Sequence, residues 1–182
     1  AIGQQLTQLG VHPRLGLLMV EAQRHGRSRL GCDLAALLSD RDPLSSAEVG
    51  CDLEARLEAM GQQKRCKPLR ELSRQLERQL ERLGIDPNAE STGIDSAQLI
   101  LTAFPNWLAL QRPGQTGRYR LRQGRGAILR PSDPLAGSEA LAVARLDMGQ
   151  RDTRIQLAVP LSRQRVEQLA LEQGEWLDQV NW

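Results

Sequence analysis

The sequence predicts an α+β fold, with an N-terminal helical bundle at residues 1–104 followed by a small β-barrel at residues 105–182. Up to about residue 104, apolar residues recur at the spacing of three and four that is typical of helices. Beyond that point the pattern changes to short runs in which apolar and polar residues alternate, as they do in half-buried strands. A run of helices followed by a run of strands indicates an α+β protein or two separate domains.

The first three predicted helices are marked by their ends. Pro13 can occupy the first turn of a helix, where its missing N–H costs nothing. A second helix is predicted over residues 30–38, and it ends within residues 39–43 because the residue before a proline avoids the helical region. Residues 45–48, with the sequence SSAE, form a capping box that predicts a third helix with Leu53 among its apolar positions.

The fourth predicted helix has the clearest periodicity, beginning at Pro68 and ending at Gly84. Its apolar stripe consists of Leu69, Leu72, Leu76, Leu80 and Leu83. A second stripe, spaced by four residues, consists of Arg70, Arg74, Arg78 and Arg82. Glutamates at neighbouring positions can partly neutralise these arginines, which favours a solvated helix face. The alternative is that the arginine stripe forms a second nucleic-acid contact. After a loop at residues 84–95, Asp95 is expected to cap a fifth helix that ends near Phe104.

The strands predicted after residue 104 suit a small five-stranded barrel of the OB type. Residues 118–122 alternate strictly, so Tyr119 and Leu121 are expected to face the barrel core while the arginines between them face outwards. The other segments are an apolar run at 107–110, a turn at 123–126, strands at 127–129, 141–146 and 154–159, a helix at 162–172, and a possible strand at 176–182.

The basic residues are unevenly distributed. The net charge is +2, but residues 96–132 hold six arginines and no acid. Such a concentration is typical of a nucleic-acid contact, although a solvated basic loop would give the same composition. Aromatic residues make up 3% of the chain, so base stacking is not expected to dominate binding. The predicted contact consists of Arg112, Arg118, Arg120, Arg122, Arg125 and Arg130.

Motifs for catalysis and metal binding are absent from the sequence. It contains no GxxxxGK[ST] phosphate loop, no GxGxxG after a predicted strand and no GxSxG nucleophile elbow. Three dispersed cysteines and two histidines lack the spacing of a zinc site. Asp40 and Asp42 flank Arg41 where the second helix ends, and we interpret them as capping and ion-pairing groups. We therefore predict no catalytic residue, no metal and no cofactor in this chain.

The order of several short motifs resembles the bacterial HrpB-type DEAH-box RNA helicases, over the region that follows the motor. The resemblance extends over nearly the whole chain, with Asp40 where the family has Glu and Asn106-Trp107-Leu108 where it has a charged DRI. The matching segments are residues 6–15 (LTQLGVHPRL), 33–44 (DLAALLSDRDPL), 104–105 (FP), 117–121 (GRYRL), 124–127 (GRGA), 133–137 (DPLAG) and 154–161 (RIQLAVPL).

This resemblance implies a helicase-associated, ratchet-like helical region followed by an OB-like domain. In such helicases these regions line the path of single-stranded RNA, while the motor domains of the same polypeptide hold ATP and Mg²⁺. A fragment of a longer cytoplasmic protein is then expected, without a membrane segment or signal peptide. Two alternatives remain open: a stand-alone OB-type RNA-binding protein, and a helical interaction scaffold with solubilising arginines.

Overall fold

The chain forms two units. The computed structural model describes residues 10–39, 43–44, 49–85, 93–149 and 153–173. The first unit contains the described residues up to 44 together with residues 54–103, and the second contains residues 49–53 and those from 104 onwards. The sequence pattern placed residues 49–53 in the helical bundle, so the two divisions of the chain differ at this segment.

Five helices are described between residues 13 and 103. They are α1 (Pro13–Arg24), α2 (Ser28–Ser39), α3 (Leu53–Gln62), α4 (Lys67–Glu81) and α5 (Ser96–Ala103), with a 3₁₀ turn at Lys64–Cys66. Within the first unit α2 packs against α1 and α4, and α5 packs against α1. The leucine stripe of α4 supplies part of this core, since Leu69, Leu76 and Leu80 are buried.

Polar side chains fix the starts of two helices. The Nδ1 atom of His12 accepts a hydrogen bond from the backbone N–H of Arg14 at 3.3 Å, and Pro13 occupies the first turn of α1. At α5, the Asp95 carboxylate accepts from the N–H of Gln98 at 2.8 Å, and the Gln98 side chain accepts from the N–H of Asp95 at 3.3 Å. This reciprocal pair is a capping box, which confirms the predicted cap.

The second unit is a closed five-stranded barrel. Its strands are β1 (Leu108–Gln111), β2 (Arg118–Leu121), β3 (Gly126–Ile128), β4 (Ala140–Met148) and β5 (Thr153–Leu161), followed by α6 (Arg163–Gln173). The strand order is β1-β2-β3-β5-β4, and β4 pairs with β1 to close the barrel. All pairs are antiparallel except β3 with β5. The predicted α+β class with an OB-like barrel is confirmed.

Residues 49–53 belong with the barrel because they pair with β5. The carbonyl of Cys51 accepts from the N–H of Ala158 at 2.9 Å, and Asp52 forms a parallel bridge to the same residue. The Cys51 thiol donates to the carbonyl of Ile155 at 3.2 Å, and its backbone N–H donates to the Asp133 carboxylate at 3.0 Å. These long-range bonds leave no local trace in the sequence, which explains why the segment was assigned to the bundle.

Some predictions fall on residues outside the described ranges. They are the first part of the LTQLG motif at residues 6–9, the Asp40-Arg41-Asp42 stop, the SSAE capping box at 45–48, most of the loop at 84–95, and the possible strand at 176–182. Among the described residues, no helix combines the length and the apolar character that crossing a membrane requires.

Candidate nucleic-acid interface

Strand β2 separates its arginines from its apolar residues. Tyr119 and Leu121 are 0% and 1% exposed and belong to the barrel core, whereas Arg118 and Arg120 are exposed. This alternation follows from the two-residue period of a strand, and it confirms the predicted orientation of these side chains. The outer face of β2 therefore carries two guanidinium groups and the inner face carries none.

The single tyrosine of the chain holds β2 in register. The Tyr119 hydroxyl lies 2.9, 3.2 and 3.1 Å from the carbonyl oxygens of Leu135, Ala136 and Ser138, and it can donate its proton to one of them at a time. Burial raises the pKa of this hydroxyl to about 12, and nearby Asp133 adds to the rise. A one-residue slip of β2 would break this contact and turn the arginines inwards.

Cross-strand neighbours of β2 form a mixed basic and apolar surface. Arg118 lies opposite Ile128 of β3, and Arg120 lies between Leu110 of β1 and Gly126 of β3. The two apolar side chains are half-buried. On the β1 side, the backbone N–H of Arg112 donates to the carbonyl of Arg118 at 2.8 Å, which brings a further exposed arginine beside the strand.

The turn between β2 and β3 presents Arg125. Gly124 has a φ of +91°, a conformation that glycine adopts without steric cost. Arg125 is exposed, and its Nη1 atom lies 3.0 Å from the Sδ atom of Met148 at the end of β4. Arg112 reaches the same turn from β1, because a Cβ atom built on Gly126 would stand 3.4 Å from its Nη2 atom. The guanidinium group of Arg112, which follows β1, therefore lies beside the hairpin that carries Arg125 in its turn.

The six arginines predicted as a contact are not equivalent. The structure brings Arg112, Arg118, Arg120 and Arg125 together around β2. Arg122 is half-buried, and its backbone N–H donates to the carbonyl of Leu108 at 2.8 Å. Arg130 is exposed, but it lies in the loop beyond β3 rather than on a strand.

Sequence reasoning missed one arginine on this side of the barrel. Arg154 of β5 is exposed and pairs with Ile128, on the opposite side of that residue from Arg118. The period-two pattern of residues 153–157 could have indicated that Arg154 points outwards. Its position beside β3 depends on the parallel pairing of β3 with β5, which the sequence pattern does not reveal.

The arginine stripe on α4 is shorter than predicted. Arg70 is half-buried, and its Nη1 atom donates to the carbonyls of Met60 and Gln63 at 2.7 and 2.8 Å. It thus satisfies carbonyl groups at the end of α3. Arg74, Arg78 and Arg82 are exposed and carry the remaining stripe.

Two of the acids beside the α4 stripe form ion pairs outside it. Glu71 pairs with Lys67 at 3.6 Å and Glu77 with Arg29 at 3.6 Å, rather than with the arginines of the stripe. Arg29 also pairs with Asp33 at 3.2 Å.

Within the described ranges, no three His, Cys, Asp or Glu side chains are grouped so that they could hold a metal ion.

Comparisons with known proteins agree with this architecture. No protein-family model matches the chain. It is 30% identical to the ATP-dependent RNA helicase HrpB of Escherichia coli strain K12 in an alignment 185 residues long. The alignment covers 100% of this chain and 21% of that protein. A crystal structure of the E. coli DExH-box NTPase HrpB matches 94% of this chain and 19% of its own, with 28% identity and a TM-score of 0.73.

A second crystal structure, of the E. coli DEAH/RHA helicase HrpB, matches 91% of this chain and 19% of its own, with 27% identity and a TM-score of 0.71. The chain thus spans about a fifth of the length of the relatives that it matches. Sequence identity over the whole chain and a shared fold lead to the same family, and they confirm the resemblance found in the motifs. The chain is a homologue of one segment of the HrpB-type RNA helicases.

Proposed function

We propose that this chain is the accessory, non-catalytic nucleic-acid-binding region of an ATP-dependent RNA helicase. In this proposal its barrel lines the path of single-stranded RNA, beside motor domains of the same cytoplasmic polypeptide. ATP and Mg²⁺ would bind to that motor, so the chain by itself is expected to hydrolyse no ATP. The observation that carries the proposal is the cluster of exposed arginines around β2, defined by Arg112, Arg118, Arg120 and Arg125 and called the β2 arginine face below.

The chemistry of the β2 arginine face suits a phosphate backbone. Arginine presents donors in a fixed fork that matches the oxygens of a phosphate group. Arg118 and Arg120 are two residues apart on one strand, so their Cα atoms are separated by about 6.6 Å. No acid occurs in residues 96–132, so repulsion of an anionic ligand from this stretch is weak.

The same surface offers little for reading bases. Tyr119 is buried in the barrel, and the rings of Phe104 and Trp107 stack on each other with centroids 4.7 Å apart. Phosphate contacts fix the position of a nucleic acid without reading its sequence. We therefore expect binding of single-stranded RNA with strong salt dependence and weak sequence preference.

The test replaces Arg118, Arg120 and Arg125 with Gln and titrates oligouridine at several salt concentrations. Each lost phosphate contact should reduce the slope of log affinity against log salt by about 0.7, and three should reduce it by about 2. All three side chains are exposed, so the melting temperature should change little. A variant that binds as tightly as the parent chain, with the same slope, would contradict the proposal.

The matched control replaces Arg74 and Arg78 of α4 and Arg82 directly after it, which removes the same charge from another exposed face. We expect this control to retain most of the salt slope. If the control loses the slope and the barrel variant keeps it, the contact lies on α4 and the β2 arginine face is excluded. ATP turnover by the purified chain in the presence of RNA, above the level of a mock preparation, would contradict the non-catalytic assignment.

A further inference from the structure

A row of outward-facing residues crosses the barrel at right angles to β2. The backbone bond between Arg112 and Arg118 joins β1 to β2, Arg118 lies opposite Ile128 of β3, and Ile128 lies beside Arg154 of β5. Adjacent strands are about 4.8 Å apart, so Arg118 and Arg154 are separated by about 10 Å with one apolar residue between them. The row therefore places arginines on both sides of a half-buried isoleucine.

The side chain of Arg154 is available for a ligand. It is exposed, and its cross-strand neighbour on β4 is Asp147, which is also exposed. Among the described residues, no ion pair joins Arg154 to this carboxylate within 4.0 Å. Exposed ion pairs in any case contribute little, so a phosphate group can compete for this guanidinium.

We propose that Arg154 is a further phosphate contact, and that bound single-stranded RNA crosses from β2 over β3 to β5. Arg118 and Arg154 would hold phosphates on either side of Ile128, and the isoleucine side chain would contact the ribose or base between them. This inference rests on the proposed function, and it adds the path of the strand and a residue on β5. A path along β2 alone would use Arg118 and Arg120 and leave Arg154 without a ligand.

The contact between hairpins supports this path. Arg125, in the turn between β2 and β3, lies against Met148 at the end of β4, with 3.0 Å between Nη1 and Sδ. The hairpin of β4 and β5 therefore adjoins the β2 arginine face. Bound RNA that continues past β3 on this side therefore reaches Arg154, which is the second residue of β5.

The experiment compares Arg154→Gln, Arg154→Lys and Arg118→Gln in the whole chain, with oligouridine as the probe. Arg154→Gln should weaken binding and reduce the salt slope by about 0.7, as Arg118→Gln should. Arg154→Lys keeps the positive charge, so it should restore the slope. Circular dichroism and the melting temperature would establish that the exposed substitutions leave the fold unchanged.

The outcomes separate this inference from the proposed function. If Arg118→Gln reduces the slope and Arg154→Gln does not, the path over β5 is wrong and the β2 arginine face stands. If Arg154→Gln weakens binding but Arg154→Lys fails to restore the slope, the residue acts otherwise than through its charge and the phosphate contact is refuted. If the parent chain binds oligouridine without salt dependence, the proposed function fails together with this inference.

Discussion

Replacing Tyr119 with Phe removes one buried hydroxyl group and leaves the ring in the barrel core. The carbonyl of Leu135 still accepts from the N–H of Ser138 at 3.0 Å, and that of Ala136 still accepts from Gly117 and Gln111 at 3.0 and 2.8 Å. Few acceptors are therefore left unsatisfied. The expected loss in the free energy of unfolding is about 1–2 kcal/mol, in the lower part of the range for a buried hydrogen bond.

The same substitution should change the response of the barrel to alkali. Burial raises the pKa of Tyr119 from 10.0 to about 12, so the unfolded chain loses this proton at lower pH than the folded chain. The contribution of the protonated Tyr119 hydroxyl to the free energy of unfolding is fully present below pH 10. It is lost as the pH rises towards the pKa of the folded chain, by roughly 1.4 kcal/mol for each pH unit between the two pKa values. An advantage of about 1–2 kcal/mol for the parent chain over Tyr119→Phe should therefore vanish at about pH 11, roughly one unit above the unfolded pKa, and should be reversed by about pH 12.

At neutral pH, hydrogen exchange of barrel amides, such as that of Leu121, measures the stability of the barrel without assuming that the two units unfold together. The alkaline absorbance of tyrosinate reports Tyr119 alone, because it is the only tyrosine in the chain. Thr116→Val removes an exposed hydroxyl and is the matched control, with an expected change within about 0.5 kcal/mol. Equal stability of Tyr119→Phe and the parent chain at neutral pH would refute the role assigned to the hydroxyl.

Three further predictions concern stability and reactivity. Asp95→Ala removes the capping box of α5 and should lower the free energy of unfolding of the helical unit by about 1 kcal/mol in denaturant titrations. Gly117 has a φ of +75°, and an added Cβ would stand 3.0 Å from the carbonyl oxygen of Leu129. At Gly114 φ is +67°, but a Cβ added there would meet no neighbouring group within 4 Å. Gly117→Ala should therefore lower the melting temperature more than Gly114→Ala. Burial raises the pKa of the Cys32 thiol to about 12, so iodoacetamide should label this thiol at pH 8 only after the chain unfolds. Mass spectrometry can follow the labelling, and labelling of the native chain at the unfolded rate would contradict the prediction.

The sequence by itself determined the features that depend on neighbours along the chain. The alternation in residues 118–122 placed Tyr119 inside the barrel and Arg118 outside it, because successive side chains of any strand point to opposite faces. Helical spacing and cap residues predicted α4 and the start of α5 for the same reason, since a helix and its cap are local structures. The concentration of arginines in residues 96–132 is likewise a property of composition.

Only the tertiary structure decided which distant residues meet. Cys51 pairs with β5, although it is 107 positions before Ala158 in the chain, and it does so beyond the point where β3 pairs with β5 at Arg154. Arg70 looked equivalent to Arg74 by spacing, yet it donates to carbonyls at the end of α3, since only the packing of helices brings those groups together. Arg154 lies beside Ile128 through the parallel pairing of β3 with β5. Strand order and register are set by closure of the whole barrel, so no local pattern could have assigned these neighbours.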